Sequence, residues 1–310
     1  MINKELLFSN FFILLGRITR KIASLGFTLP NKIHNSIVTL RLQSIHSNLI
    51  SQYKTIEYVP IPQTDNYPIW VFWWQGVNKM PELVRICYNS IVQNAGEHPV
   101  HLLTENNYEQ YLSKLPHLKE ILNRIQQRTV SYAYFSDIIR SYLLYEYGGV
   151  WIDATVLLTS NIDNIVTNRI FISGRRIDKV LNKNSINHGK WTGYFVFANK
   201  GNLLLKFIHE MLVNQIIKKG YILDYLMIDF CFIIAWKNLP YAKTIQEQSP
   251  IYPNRIHLLL EYLNKEVNEE QYKSLIKKNP FLKLTYKRNW FELTDDHKLT
   301  YYGFLKKMFL

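Results

Sequence analysis

Between Ser131 and Thr155 the chain reads SYAYFSDIIRSYLLYEYGGVWIDAT, and this block constrains the fold most, because it packs a helix, a stop and a buried strand into 25 residues. Ser131 offers an N-cap hydroxyl, and Ile138, Ile139, Tyr142, Leu143 and Tyr145 recur at the three- and four-residue spacing of an apolar helix face. Gly148 and Gly149 supply a left-handed stop. Val150, Trp151 and Ile152 then form an apolar run ending at Asp153. This predicts a central strand that delivers a carboxylate at its carboxyl end, where open α/β sheets place their ligands. Asp137 and Arg140, three residues apart, share one helix face, with Ser141 one turn beyond Asp137. Alone, such a pair is a surface ion pair worth well under about 1 kcal/mol. Beside a strand-end Asp the same pair becomes a cradle for a nucleotide sugar. Arg140 can fork a phosphate, and the carboxylates can hold sugar hydroxyls or a divalent metal.

The rest of the chain supplies a sheet for this block. Ile69 to Trp74, IWVFWW, reads as a first strand; Trp70 and Trp73 are expected in the core. Pro81 opens a helix running through Ile91 to a stop at Gly96, and Val100 to Leu103 is a second strand. This β-α-β order is that of a nucleotide-binding half-sheet with a right-handed crossover. Residues 104–130 read as a polar helical cover. Ile170–Ser173 and Tyr194–Ala198 are further strands, Gly201–Ile217 a helix, and Arg175, Arg176 and His188 fall in the polar loop between the strands. Asp224 is placed to cap the next helix. Asp229 lies inside an apolar helical pattern, where a buried carboxylate without a partner would cost several kcal/mol, so it requires a partner or a ligand. Residues 253–310 give a polar helix near 269–278 and a mixed tail.

With 47% hydrophobic residues and 14% aromatics, the 310-residue chain can fill one large α/β domain with a small appendage, or two modest domains. Its net charge of +13 admits nucleic acid, an anionic membrane or a phosphorylated substrate as partner. Residues 1–60 carry four Lys and three Arg against two Glu, and the apolar run Leu6–Leu15 is too short to span a bilayer. Two readings stay open: a basic amphipathic helix lying on a membrane, or a helical hairpin packed on the domain. The bounds are 1–60 for the arm and 67–310 for the catalytic domain. Cys87 and Cys231 read as buried free thiols. No Cys/His metal spacing, P-loop, GxGxxG, G-x-S-x-G elbow or HExxH occurs.

The segment SDIIRSYLLYEYGGVWIDATV resembles the signature of glycosyltransferases whose sugar-binding region contains a DXD motif, most closely the capsular polysaccharide synthesis branch, over roughly residues 67–290. The resemblance implies a GT-A type, Rossmann-like α/β domain that binds a nucleotide sugar. It places Asp137, Arg140, Gly148, Gly149 and Asp153 against the donor, with Asp153 as ligand of a divalent metal, Mn2+ or Mg2+. It also places Trp74 and Gln75 against the nucleotide, Asp229 near the donor sugar or acceptor, and Lys287 over the diphosphate. Thr155 stands where many relatives carry a second Asp, which weakens the metal inference because a neutral hydroxyl is a poorer cation ligand.

The function expected is therefore a retaining hexosyltransferase. It would use a UDP-sugar donor and a glycan or undecaprenyl-linked oligosaccharide acceptor, in bacterial capsular or surface polysaccharide synthesis. Nucleic acid is not an expected partner, and the expected location is cytoplasmic, peripheral at the inner face of the membrane. Two alternatives differ in class. A nucleotidyltransferase on a similar sheet would show paired acids for two metals, which D-A-T lacks, and a non-catalytic basic binding protein would cluster its cations with exposed aromatics.

Overall fold

The computed structural model describes residues 4–63, 66–167, 170–173, 175–176, 185–249, 251–252 and 256–310. Five strands form the central sheet: β1 (Ile69–Phe72), β2 (Val100–Leu103), β3 (Gly149–Ile152), β5 (Phe171–Ser173) and β7 (Phe195–Ala198), in the order β2-β1-β3-β7-β5. β1 runs parallel to β2 and β3, while β7 is antiparallel to both β3 and β5. β4 (Val156–Leu158) and β9 (Phe281–Lys283) make a separate antiparallel pair, and β6 (Arg175–Arg176) pairs with β8 (Ile251–Tyr252). Arg175 and Arg176 thus form a short strand where a loop was expected, and His188 is exposed with φ 49°. The remainder of that predicted loop up to residue 184, apart from 175–176, lies outside the described residues.

The two-residue alternation of the strands divides the core into layers. Trp70, Trp151, Val196 and Ala198 face one apolar cluster, shared with helices α7 (Tyr132–Glu146), α8 (Leu203–Lys219) and α9 (Met227–Asn238). Ile69, Val71, Val150, Ile152, Phe195 and Phe197 face the other, under α4 (Glu82–Gln93). The opposite side of α4, through Ile86 and Cys87, packs on α11 (Glu269–Lys278), α12 (Tyr301–Phe309) and the β4–β9 pair. The expected mixed tail therefore contains a helix, capped by the Thr300 hydroxyl, whose buried residues share an apolar cluster with Leu282 of β9. Residues 104–130 hold the short helices α5 (Tyr108–Leu112) and α6 (Leu118–Gln126), and α10 (Pro240–Glu247) follows α9. Cys87 and Cys231 are free and buried.

The first strand is shorter than IWVFWW predicts: it ends at Phe72, and Trp73 and Trp74 continue alongside β2 through Trp73 N–H to Leu103 O and Glu105 N–H to Trp74 O. Trp70 is a core residue, its indole donating to Gly148 O at 3.0 Å. Trp73, also expected in the core, is only half buried and stands edge-on to exposed Tyr286, at 5.5 Å between ring centroids.

The N-terminal region forms α1 (Lys4–Ser24), α2 (Leu29–Ile45) and α3 (Ser47–Lys54). Val38, Leu42, Leu49, Ile50 and Tyr53 of α2 and α3 belong to the same apolar cluster as α7, α8 and α9, so this part of the arm shares the domain's core. The arm is locked by Asp224, which is fully buried: Arg20 Nη1 donates to both carboxylate oxygens at 2.9 Å, and His34 Nε2 lies 2.8 Å from Oδ2. Asp224 also accepts the Leu226 N–H, but it is not the cap of α9, whose N-cap position is Leu226; its main work is to join α1 and α2 to the domain. Gly16 allows the close approach, since a Cβ there would lie 2.1 Å from Asp224 Oδ2. Burial acts to raise the Asp224 pKa, but His34 and Arg20 outweigh it and hold the group below the usual carboxylate range. Its contribution to stability is therefore present above the ordinary carboxylate range and is lost as pH falls through the folded-state pKa.

Asp224→Ala leaves Arg20 and His34 without their shared acceptor and should cost about 3 kcal/mol or more in urea unfolding at pH 7. The difference from the parent should shrink on acidification. A cost near zero would mean that the arm is not held through this carboxylate.

Candidate active site

A cleft of about 570 Å³ opens at the carboxyl ends of β1 and β3. It is lined by Trp74, Gln75, Asp137, Arg140, Asp153, Thr155, Asp229 and Lys287. Eight of the ten residues nominated from sequence thus meet in one place. Each arrives by a local device: the Ser131 hydroxyl accepts the Tyr134 N–H and starts α7, which carries Asp137 and Arg140, while β3 ends at Ile152 and leaves Asp153 at its mouth.

Gly148 and Gly149 are the two that do not line the cleft. They sit at the opposite end of β3, with φ of 72° and 96°, and make the turn that ends α7. A Cβ on Gly149 would lie 2.1 Å from Pro68 O, and one on Gly148 2.4 Å from the Gln63 side chain. Their role is the tight approach of β3 to the chain before β1, a correction to their assignment as donor-binding residues. Ser141 is likewise directed away, its hydroxyl donating back to Asp137 O at 2.9 Å.

The centre of the cleft is the Asp153 carboxylate. Its Oδ1 accepts from Arg140 Nη2 at 3.1 Å and from Trp151 Nε1 at 2.9 Å; its Oδ2 accepts from Lys283 Nζ at 2.7 Å. Burial alone would raise its pKa, but the charges of Lys283 and Arg140 prevail and hold it at about 2. The Arg140 side chain, 8% exposed, also faces Asp137 Oδ1 at 3.3 Å and lies 5.0 Å from the Trp151 ring centroid. Asp137 behaves in the opposite way: burial pushes its pKa up to about 7, with Asp153 and Asp229 adding to the rise against the pull of Arg140. One guanidinium thus serves two carboxylates, and the one that Lys283 also contacts is the one held firmly ionised.

Asp229 has the partners its position demanded. Its Oδ1 accepts from Asn187 Nδ2 at 2.9 Å and Trp191 Nε1 at 3.0 Å, and it lies in the first turn of α9 instead of the helix interior. Trp74 is packed by Tyr108, Tyr132 and Phe135 into an aromatic wall, and exposed Gln75 and Lys287 stand at the rim.

Lys283 and Gly193 were not legible in advance. Lys283 is the last residue of β9, paired with Val156, and reaches the Asp153 and Thr155 side chains from 130 positions beyond Asp153; the only local signal is a lone lysine in the run Phe281–Leu284. Gly193 lies against Arg140, where a Cβ would stand 2.5 Å from Nη1.

A divalent metal does not fit the residues present. Both Asp153 oxygens are engaged by cations, and the Thr155 hydroxyl accepts from Lys283 Nζ at 2.7 Å. Among the described residues no group of three or more His, Cys, Asp or Glu is arranged to hold a metal ion.

A second hollow of about 400 Å³ adjoins the first, with Gly193, Tyr194, Leu226 and Asp229 common to both. Arg20, Asn31 and Asn35 of the arm form part of its lining.

The model of the capsular polysaccharide synthesis protein family matches residues 26–305, and the chain belongs to that family. It is 26% identical over 164 residues to glycosyltransferase afumC of Aspergillus fumigatus, covering 50% of this chain and 41% of that protein. It is 29% identical over 115 residues to O-glycosyltransferase braB of Annulohypoxylon truncatum, covering 35% of this chain and 27% of that one. The chain thus spans less than half the length of these two curated relatives. Among solved structures, the PaToxG glycosyltransferase superposes on 69% of this chain and 85% of its own, at 13% identity and a TM-score of 0.43.

Gly193→Ala should displace the Arg140 guanidinium while leaving the sheet intact. Nucleotide affinity, read by calorimetry, should fall about tenfold or more, the scale of one charge-assisted hydrogen bond. Unchanged affinity would place Arg140 outside the binding step.

Proposed function

We propose that the protein is a glycosyltransferase that moves a hexose from a nucleotide sugar, UDP-linked, to a glycan or lipid-linked oligosaccharide of a bacterial surface polysaccharide, with retention at the anomeric carbon. The carrying observation is the cleft at the ends of β1 and β3, where cations, carboxylates and an aromatic wall converge. Family membership and the names of the curated relatives support the same class.

In this reading the base and ribose lie on the Trp74 side, and Arg140 faces the diphosphate. Asp153 holds Arg140 in place, and Asp137 and Asp229 orient sugar hydroxyls. The anomeric carbon gains positive character as the diphosphate departs, so stabilisation of the leaving charge does most to lower the barrier. The adjoining hollow beside Asp229 receives the acceptor. A second reading rests on Asp137: with its pKa raised to about 7 it is the cleft carboxylate best suited to act as a general base, which would invert the anomeric centre. The anomeric configuration of the product, read by NMR, separates the two.

A panel of nucleotide sugars tests the main reading. A cognate donor at 100 times its dissociation constant should add about 2.7 kcal/mol to stability. Asp153→Asn should lower transfer about 100-fold, the effect of removing one preorganised charge. No stabilisation by any nucleotide would refute the reading.

The arm supports a peripheral membrane location. No described helix is long and apolar enough to cross one. Yet Leu7, Phe11, Leu14 and Ile18 of α1 and Leu29, Ile33, Ile37 and Leu40 of α2 are exposed at helical spacing, joined by Leu25 and Phe27 at 72% and 70% exposure. Arg17, Lys21, Lys32 and Arg41 are exposed on the same two helices. An apolar face of this extent beside cations fits an anionic bilayer surface, and the enzyme is proposed to act there, on the cytoplasmic side. Truncating the arm would also strip Arg20 from Asp224, so point substitution is the cleaner test. Ile18→Asp with Phe27→Asp should abolish co-sedimentation with phosphatidylglycerol vesicles and leave the unfolding midpoint within a few degrees. Retained vesicle binding would exclude this face.

A further inference from the structure

Lys283 has no counterpart in the expectation of a metal-bound diphosphate, yet it occupies the point around which that expectation was built. Its Nζ lies 2.7 Å from Asp153 Oδ2 and 2.7 Å from Thr155 Oγ1, the first and third residues of D-A-T. The position is built, not incidental. The Lys283 side chain is 18% exposed, its N–H donates to Ile256 O at 2.8 Å, and the next residue's N–H donates to Thr155 O at 2.9 Å. The β4–β9 register sets Lys283 opposite Val156, one residue beyond Thr155. Apolar packing of Leu157, Leu282 and Leu284 against α4, α11 and α12 fixes that register.

Charge reinforces the geometry. Two side-chain cations, Arg140 and Lys283, flank the one carboxylate of Asp153, and Lys283 pairs with no second carboxylate there, whereas Arg140 is shared with Asp137. A hard divalent cation needs several oxygen ligands. Here it would find one carboxylate already shared, a neutral hydroxyl, and an ammonium within contact distance of both. Thr155 is consistent with this arrangement: a hydroxyl accepts from an ammonium without adding a negative charge that a metal would otherwise balance.

We propose that the Lys283 ammonium takes the place of the divalent cation, so that the donor diphosphate is bound, and its departure assisted, by Lys283 and Arg140 without metal. The proposal rests on the glycosyltransferase reading. In the transfer, the bond between the anomeric carbon and the phosphate oxygen breaks with its electron pair on that oxygen, whose charge the two cations stabilise. The acceptor oxygen bonds to the anomeric carbon, and its proton passes to the departing phosphate. No further reactant is required.

The test is nucleotide binding and sugar transfer by the full chain, with UDP and the best donor from the panel, in excess EDTA and in excess Mn2+. Binding and transfer should agree between the two conditions within about twofold, well under the scale of a lost charge interaction. Lys283→Met should lower transfer about 100-fold and weaken UDP binding in both conditions. The double variant Thr155→Asp with Lys283→Ala, which rebuilds a two-carboxylate site, should recover UDP binding with Mn2+ only. Loss of UDP binding by the parent protein in EDTA, restored by Mn2+, would overturn the proposal and leave the glycosyltransferase reading standing. This comparison needs no variant to fold. Failure of every nucleotide to bind in both conditions would overturn both.

Discussion

The Asp153 carboxylate, held between Arg140 and Lys283, is the interaction on which the rest of the site depends. It joins three elements: α7 through Arg140, the end of β3 through its own backbone, and β9 through Lys283. A carboxylate with one cation near the surface contributes little. With two, plus an indole donor, it fixes the relative positions of both cations in the cleft wall. The site is therefore preorganised by charge before any ligand arrives, which is how electrostatic stabilisation of a leaving group avoids reorganisation during reaction.

The same logic explains the uneven carboxylates. Asp137 and Asp153 both face Arg140, but Lys283 contacts only Asp153. Burial then dominates at Asp137, whose pKa rises to about 7, while Asp153 stays ionised. Two identical side chains acquire different chemical characters from one additional ammonium. Asp229 is set apart again, satisfied by neutral donors from Asn187 and Trp191.

The arm and the C-terminal segment frame the cleft from opposite ends of the chain. The arm is tied by a buried Asp224 hub and leaves an apolar, cation-flanked face outward. The C-terminal helices hold β9, and so hold Lys283. Both are distant in sequence from the central block: the arm docks on the cluster that block helps to form, and the C-terminal helices dock on α4.

The sequence by itself determined what is local. The helix from Ser131, the glycine stop, the strand into Asp153 and the β-α-β order all follow from capping, left-handed glycine conformations and apolar periodicity, each of which acts within a few residues. It also brought Asp137, Arg140, Asp153 and Asp229 to notice, because strand ends and buried charges are visible as breaks in apolar patterns, while Trp74, Gln75, Thr155 and Lys287 were named only through the family resemblance. Only the tertiary structure decided which of these act together and what completes them. Gly148 and Gly149 proved to lie outside the cleft, because residues at the two ends of a strand cannot share a site. Asp224 became an anchor through Arg20, 204 residues away, and Lys283 reached Asp153 across 130. Pairings of that separation leave no periodic trace: they depend on strand register and helix docking, which are set by the packed core as a whole and not by the neighbours of either residue.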